Sequence, residues 1–276
     1  MKVSVIIPVY NKEHYVHKTL LSLLDQKFND WEAIVIDDGS IDNSADIVKS
    51  IKDPRIQFFQ QSNHGVSYTR NKGIEKARGE FIAFLDADDT WFPDYLETVI
   101  RLSMQYSSYS VFCVAQKDRP IRTLPNGISI IKDFCAFPYI FWTGSLLIKK
   151  DVFKKVGGFR VGIQLGEDTD MWLRISCKYH TVYLNEEHVH HPYITENNLA
   201  QIYDISKTFP FWEWYDYPYP DKKQLKEFTT YELTNFSNAL INKKQFKDAL
   251  VYLLKVKGLT AIRKRVKLLF RIILRY

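Results

Sequence analysis

FIAFLDADDTW, residues 81–91, runs apolar from Phe81 to Leu85 and then sets three aspartates, Asp86, Asp88 and Asp89, into four positions. The apolar run has the length and bulk of a strand covered on both faces, which puts the acids at its carboxyl end. Three chemistries use such a stretch: a divalent metal shared with a nucleotide, a phosphatase whose nucleophile is the first aspartate, and a solvated turn. The flanking sequence has to choose among them.

Upstream, the theme recurs. Val3–Ile7 is an apolar run of strand length that Pro8 is expected to end. Residues 12–26 carry Val16, Leu20, Leu23 and Leu24 at helical spacing. EAIVIDDGS (32–40) is apolar to Ile36 and then polar, and residues 42–51 read as a helix with Asp42 as its cap. RIQFFQ (55–60) is a third strand, and residues 66–77 and 93–106 are further helices. Buried-type strands alternating with helices predict a Rossmann-like α/β fold, a mainly parallel central sheet with helices on both faces. In such sheets ligands sit at the carboxyl ends of the strands. PVYNKE (8–13), DDGS (37–40) and DADD (86–89) all fall there, so segments distant in the chain are expected to meet in one crevice.

After residue 106 the pattern loosens. SVFCVAQ (110–116) is strand-like, residues 117–135 read as a variable excursion, and FWTGSLLIKK (141–150) reads as a loop followed by a strand. A Gly-rich loop from Val156 turns into a helix near Glu167. FPFWEWYDYPYP (209–220) packs seven aromatics into twelve residues, and helices follow. The expected division is a catalytic domain over 1–200 and, over 201–276, an aromatic linker with a C-terminal helical appendage.

The net charge of +6 is a property of the tail. Residues 250–276 hold eight basic residues and no acid, which leaves the other 249 residues at 30 basic against 32 acidic. General nucleic-acid affinity is therefore not expected. Read as a helix, the tail puts Leu259, Ile262, Val266, Leu269, Phe270 and Ile273 on one face, with Arg263, Lys264, Lys267, Arg271 and Arg275 on the flank or opposite side. Such a helix either lies on an anionic membrane surface or packs on the protein with its basic side solvated. Three cysteines, Cys113, Cys135 and Cys177, are odd in number and far apart, which argues for reduced thiols. The apolar run of MKVSVIIPVYNKE is too short for a signal peptide or a spanning helix. The expected location is the cytoplasm, peripheral on the inner face of the membrane if the tail binds lipid.

Five motifs in order resemble the family 2 glycosyltransferases of the nucleotide-diphospho-sugar transferase superfamily, with the GT-A fold. They are VSVIIPVYNKEHYVHKTLLSLLDQ (3–26), VIDDGSIDNS (35–44), NHGVSYTRNKGIEKARGEFIAFLDADD (63–89), TGSLLIKKDVFKKVGGF (143–159) and GEDTDMWLRI (166–175). The resemblance covers roughly residues 1–200. Each motif also has its own physical reading. Asp86 and Asp88 are hard oxygen ligands, suited to Mg²⁺ or Mn²⁺ held jointly with a diphosphate. The resemblance puts Asp88 on the metal and Asp86 on the ribose or the metal's water shell. Ala87 then lies at the donor, and Asp89 is a supporting partner. It further implies that Asp38 accepts the N3–H of a uracil and that Pro8, Val9 and Tyr10 form a wall for the base. Glu13 is assigned to the ribose and Arg70 to the base or phosphates.

Transfer to a hydroxyl needs a base, and the resemblance assigns that role to Asp168, with Glu167 as the alternative. Asp170 reads as a cap or salt-bridge residue. Thr143, Gly144 and Ser145 are placed beside the donor sugar and acceptor. Trp172 reads either as an acceptor platform or as core, and Arg174 follows it at helical spacing. His190 or His191 is either near the metal or diphosphate or an ordinary histidine. No QxxRW motif is present, which implies transfer of one sugar at a time.

The implied function is an inverting, metal-dependent glycosyltransferase that takes a UDP-sugar. Its expected acceptor is a saccharide or lipid-linked saccharide in cell-surface polysaccharide synthesis. The alternatives are a haloacid-dehalogenase-type phosphatase using LDADDT and a non-catalytic nucleotide-sugar-binding subunit. In the phosphatase, however, the motif ordinarily follows the first strand, and here three strand units precede it.

Overall fold

A computed structural model describes residues 1–117, 123–163, 165–192, 210–242 and 245–256. The chain divides into two compact units, Met1–Lys207 and Thr208–Tyr276.

In the first unit the strands are β1 (Val3–Val9), β2 (Trp31–Asp37), β3 (Ile56–Gln60), β4 (Phe81–Phe84), β5 (Thr90–Trp91), β6 (Val111–Gln116), β7 (Ile128–Ile131), β8 (Leu146–Lys149) and β9 (Thr181–His190). The helices are α1 (Val16–Leu24), α2 (Ser44–Ser50), α3 (Val66–Lys76), α4 (Tyr95–Gln105), α5 (Asp151–Val156) and α6 (Glu167–Ser176). The nine strands form one sheet in the order β3-β2-β1-β4-β8-β6-β9-β5, with β7 also on β9. Strands β1, β2, β3, β4, β6 and β9 run one way, and β5, β7 and β8 oppose them.

Both faces of the central strands are covered. Val5, Ile7, Ala33, Val35 and Ala83 pack with Leu20 and Leu23 of α1 and with Leu96 and Val99 of α4. On the other face, Phe84 meets Phe153 of α5, Phe159, and Trp172 of α6. Gly73 lets α3 lie close on that face, because a Cβ there would collide with Ile6. Each fully buried Val, Leu, Ile or Phe contributes roughly 1.5–3 kcal/mol, so this two-sided burial is what fixes the central strands.

Three elements depart from the sequence reading. Pro8 lies inside β1 rather than ending it. Ile6 turns its carbonyl toward Leu85, so Pro8, two residues on, turns its nitrogen to the same side. Pairing with β4 has ended by then at Ile6 and Phe84, so no ladder bond is lost. Strand β7 falls in the expected excursion. Strand β9 breaks the two-residue period, because its pairing with β6 shifts register on both sides of Ala115. A bulged strand carrying Glu186 and Glu187 does not read as a strand.

In the second unit, a 3₁₀ turn (Phe211–Asp216) precedes α7 (Lys222–Asn242) and α8 (Phe246–Lys255). Phe211 packs against Trp214, Phe236 and Tyr252, and Trp214 stacks on Phe228. The aromatic cluster is thus largely the core of this helical unit. The basic face expected over 259–276 lies outside the described residues. Among the described residues no helix is long and apolar enough to cross a membrane.

Candidate active site

Because six strands share a direction, their carboxyl ends lie on one edge of the sheet. The oppositely directed β8 begins there, just after Thr143–Ser145. This edge collects PVYNKE at the end of β1, DDGS at the end of β2, DADD after β4, and His191 after β9.

The three aspartates of DADD have three different cationic partners. Asp86 Oδ1 accepts from Arg70 Nη2 of α3 at 2.9 Å. Asp88 Oδ2 pairs with Lys12 Nζ at 2.6 Å. Asp89 is fully buried and holds His191 Nδ1 together with Trp142 Nε1, the latter at 2.9 Å. The Trp142 ring lies 4.4 Å from that of His191. Burial lifts the Asp89 carboxyl to about 6 even though His191 and Trp142 stabilise its anion. Burial opposes a charged His191 ring, yet its bond to Asp89 and the nearby Asp88 and Asp86 raise its proton affinity above the usual value.

Arg70 links this turn to α6. It is almost wholly buried, and its Nη1 reaches Glu167 Oε1 at 3.2 Å while Nη2 holds Asp86. Burial, with Asp168 adding like charge, lifts the Glu167 carboxyl to about 8 against the pull of Arg70. Near neutral pH Glu167 therefore keeps its proton, and its bond to Arg70 is a hydrogen bond rather than an ion pair. Asp168 accepts from its neighbour Thr169, N to Oδ1 at 2.6 Å, and its Oδ2 has no protein hydrogen bond among the described residues.

The residues expected at the donor separate into two groups. Tyr10 is 42% exposed at the crevice edge, and Pro8 is partly exposed. Val9 is 1% exposed, so its side chain belongs to the core, and it could join a wall for a base only through its backbone. Its carbonyl accepts from Asp38 N. The Asp38 carboxylate accepts from Gln61 Nε2, His64 N and Gly65 N, which ties the β3–α3 loop to β2. Glu13 Oε2 holds Asn43 through both its N–H and its side-chain amide. Ala87 is buried.

On the far side, Gly144 gives its carbonyl to Trp91 Nε1, and a Cβ at this glycine would stand 3.0 Å from Asp89 Oδ2. Thr143 and Ser145 are buried. Of the two readings of Trp172, its surroundings fit the core one: at 2% exposure its ring is packed against Phe84 and Phe159. Asp170 is a buried salt-bridge residue holding Arg174 and Arg160. His190 is paired in register with Thr90, and it is His191 that reaches the aspartates. Sequence reasoning did not single out Lys12 or Trp142. The available signal was a cation in one strand-end loop facing acids in another.

Asp88 Oδ1 and Asp86 Oδ2 carry no protein hydrogen bond among the described residues, which leaves two hard oxygens on one turn. Among the described residues no group of three or more His, Cys, Asp or Glu is arranged to hold a metal alone. This donor set fits Mg²⁺ or Mn²⁺ bound through one or two carboxylates and completed by phosphates and water, rather than an all-protein cage.

A mixed sheet of this topology, with acids gathered at its carboxyl edge, is the architecture of GT-A glycosyltransferases. The crystal structure of S. aureus TarS residues 1–349 in complex with UDP-GlcNAc matches it with a TM-score of 0.72 at 19% identity, covering 93% of this chain and 82% of that one. At such identity the likeness establishes the fold alone. The chain belongs to glycosyl transferase family 2, whose sequence profile matches residues 4–157. An uncharacterized glycosyltransferase of Rickettsia bellii is 33% identical over 190 residues, 64% of this chain and 26% of that protein. Another from Rickettsia typhi is 31% identical over 217 residues, 72% of this chain and 68% of its own length. The putative teichuronic acid biosynthesis glycosyltransferase TuaG of Bacillus subtilis is 42% identical over 108 residues, 38% of this chain and 43% of TuaG. The chain spans only 26% to 30% of the length of three of the Rickettsia relatives.

Proposed function

We propose that this protein transfers one sugar from a UDP-sugar to a hydroxyl of a saccharide or lipid-linked saccharide, with inversion, in the synthesis of a cell-surface polysaccharide. Residues 1–200 act as the catalytic domain and residues 201–276 as an appendage. The observation that carries the proposal is the meeting of the DADD turn with the start of α6 through Arg70, which brings a metal–diphosphate set beside a candidate base. The likeness to TuaG, a putative teichuronic acid biosynthesis glycosyltransferase, supports the polysaccharide assignment, and the likeness to TarS in complex with UDP-GlcNAc supports the UDP assignment.

Asp168 Oδ2 takes the acceptor hydroxyl's proton as its oxygen attacks the anomeric carbon from the face opposite the nucleotide. Glu167, holding its own proton, spares Asp168 a charged neighbour. Asp168 stands in the first turn of α6, next to Glu167. Asp88, with Asp86 beside it, would hold the divalent metal, whose chemistry here is to offset charge on the departing diphosphate. The phosphatase alternative is disfavoured because its nucleophile, Asp86, is tied to Arg70.

The test is calorimetric titration with UDP, GDP, dTDP and CDP, each with Mn²⁺ and with EDTA. One nucleotide bound tightly only with metal supports the donor site and names its class. Binding of none of them by folded protein removes the proposal and returns the motif to phosphoryl chemistry.

A further inference from the structure

Lys12 stands apart from the other cation at this edge. Arg70 is fixed, with each Nη donating to an acidic side chain, Nη1 to Glu167 and Nη2 to Asp86. Among the described residues Lys12 has one acidic partner, Asp88, and its side chain is 14% exposed against 12% for that aspartate. Its backbone is held firmly. Lys12 N donates to Ser44 Oγ at 2.7 Å, and its carbonyl accepts from Tyr15 N and Val16 N. Asn11 before it takes a left-handed conformation with φ of 50° and accepts from Ile41 N through its side chain. The anchor is therefore rigid, while the four-carbon stem has several rotatable bonds and ends in a compact charge with three donors, which lies 2.6 Å from Asp88 Oδ2 and 5.9 Å from the centre of the Tyr15 ring. That charge rests on the very carboxylate expected to meet a divalent cation.

We propose that Lys12 is a resident cation of the donor site. It neutralises Asp88 while no donor is bound, and it swings its ammonium onto the diphosphate when metal and nucleotide arrive. This rests on the donor reading above. Lys12 Nζ lies 2.6 Å from Asp88 Oδ2, so a divalent cation held by Asp88 would meet its repulsion, and metal alone would bind against Lys12. The diphosphate supplies the anion that receives the displaced ammonium. Each ligand thus removes an obstacle to the other, and the two bind cooperatively, with a coupling of about 5–150-fold that is the same in either order of addition. Lys12 then also bears on the leaving group, as a positioning charge that chemistry at the sugar does not consume.

The competing role is a clamp that ties the β1–α1 loop to the DADD turn by a hydrogen bond. Two variants separate the roles: Lys12→Gln keeps a donor to Asp88 without the charge, and Lys12→Met keeps neither. Calorimetry on the full chain, after a melting curve has shown each variant folded, measures Mn²⁺ alone and UDP with and without Mn²⁺. The expected result is that both variants bind Mn²⁺ alone more tightly, bind UDP with Mn²⁺ more weakly, and show a coupling near one. If Lys12→Met does not fold, Lys12→Gln carries the test by itself. Wild-type coupling in Lys12→Gln overturns the proposal in favour of the clamp. Parallel weakening of both ligands overturns it as well. If the wild type binds no nucleotide, the donor reading itself falls, and that failure is distinct because it precedes any variant.

Discussion

Asp88–Asp89 on the turn after β4 and Glu167–Asp168 at the start of α6 are built alike, yet they end in different charge states. In each pair one acid is buried and braced, while its neighbour keeps an oxygen without a protein partner. Burial raises both braced acids, Asp89 to about 6 and Glu167 to about 8. Asp89 has a histidine and an indole N–H as donors and stays mostly ionised at neutral pH. Glu167 has a shared arginine and a like-charged neighbour, and it holds its proton. Burial sets the direction in both regions, and the donors around the group decide how far it goes. The open neighbours differ accordingly: Asp88 is paired with Lys12, whereas Asp168 has no salt bridge among the described residues and meets Arg70 only through its charge.

The largest effect should come from the open acid of the second pair. Asp168→Asn is expected to lower transfer by roughly 10²–10⁴-fold while UDP binding stays near wild type. Near-normal turnover in a radiolabel transfer assay would remove it as the base. Its counterpart Asp88→Asn should weaken Mn²⁺-dependent UDP binding by more than the roughly 10–100-fold typical of losing a supporting group. Titration in Mn²⁺ and in EDTA reads this directly, and equal loss in both would break the metal assignment.

The braced acids should part company under the same kind of change. Asp89→Asn removes a fully buried charge from His191 and should cost about 3–5 kcal/mol in urea unfolding. Glu167→Gln mimics a group that already carries its proton and should cost little near pH 5. Its signature is in the pH profile. Because the folded value, about 8, lies above the ordinary 4.5, the folded chain holds a proton that the unfolded chain releases. That stability is complete below pH 4.5 and is lost as the pH rises through 8. The variant should flatten this decline, and an unchanged slope would mean Glu167 is already ionised. The smallest expected effect on the chemistry belongs to the tail. Deleting residues 259–276 should release the protein from anionic liposomes, and unchanged sedimentation would remove the membrane reading.

The strands read most easily were β1, β2 and β4, because burial on both faces leaves an unbroken apolar run. Strand β9 was hidden because its bulge shifts side chains off the two-residue period just where Glu186 and Glu187 intervene. The acids of the site announced themselves by position, at strand ends and a helix start. Their partners did not, since Lys12 reaches Asp88 across 76 residues and His191 reaches Asp89 across 102. Such pairings obey no local spacing. Trp172 stayed ambiguous for the opposite reason. Four residues after Asp168 it shares that residue's flank of the helix, but α6 turns its ring onto Phe84.

The Asp89–His191 link also bears on how the chain is made. A ribosome adding about 5–20 residues per second delivers His191 roughly 5–20 s after Asp89. Over that interval the emerging sheet has a carboxylate destined for burial and no histidine to receive it. A transcript cut short before His191 would therefore yield a product in which Asp89 lacks its histidine and keeps only Trp142 as a donor, a less stable edge that leaves more of the chain open to cellular proteases.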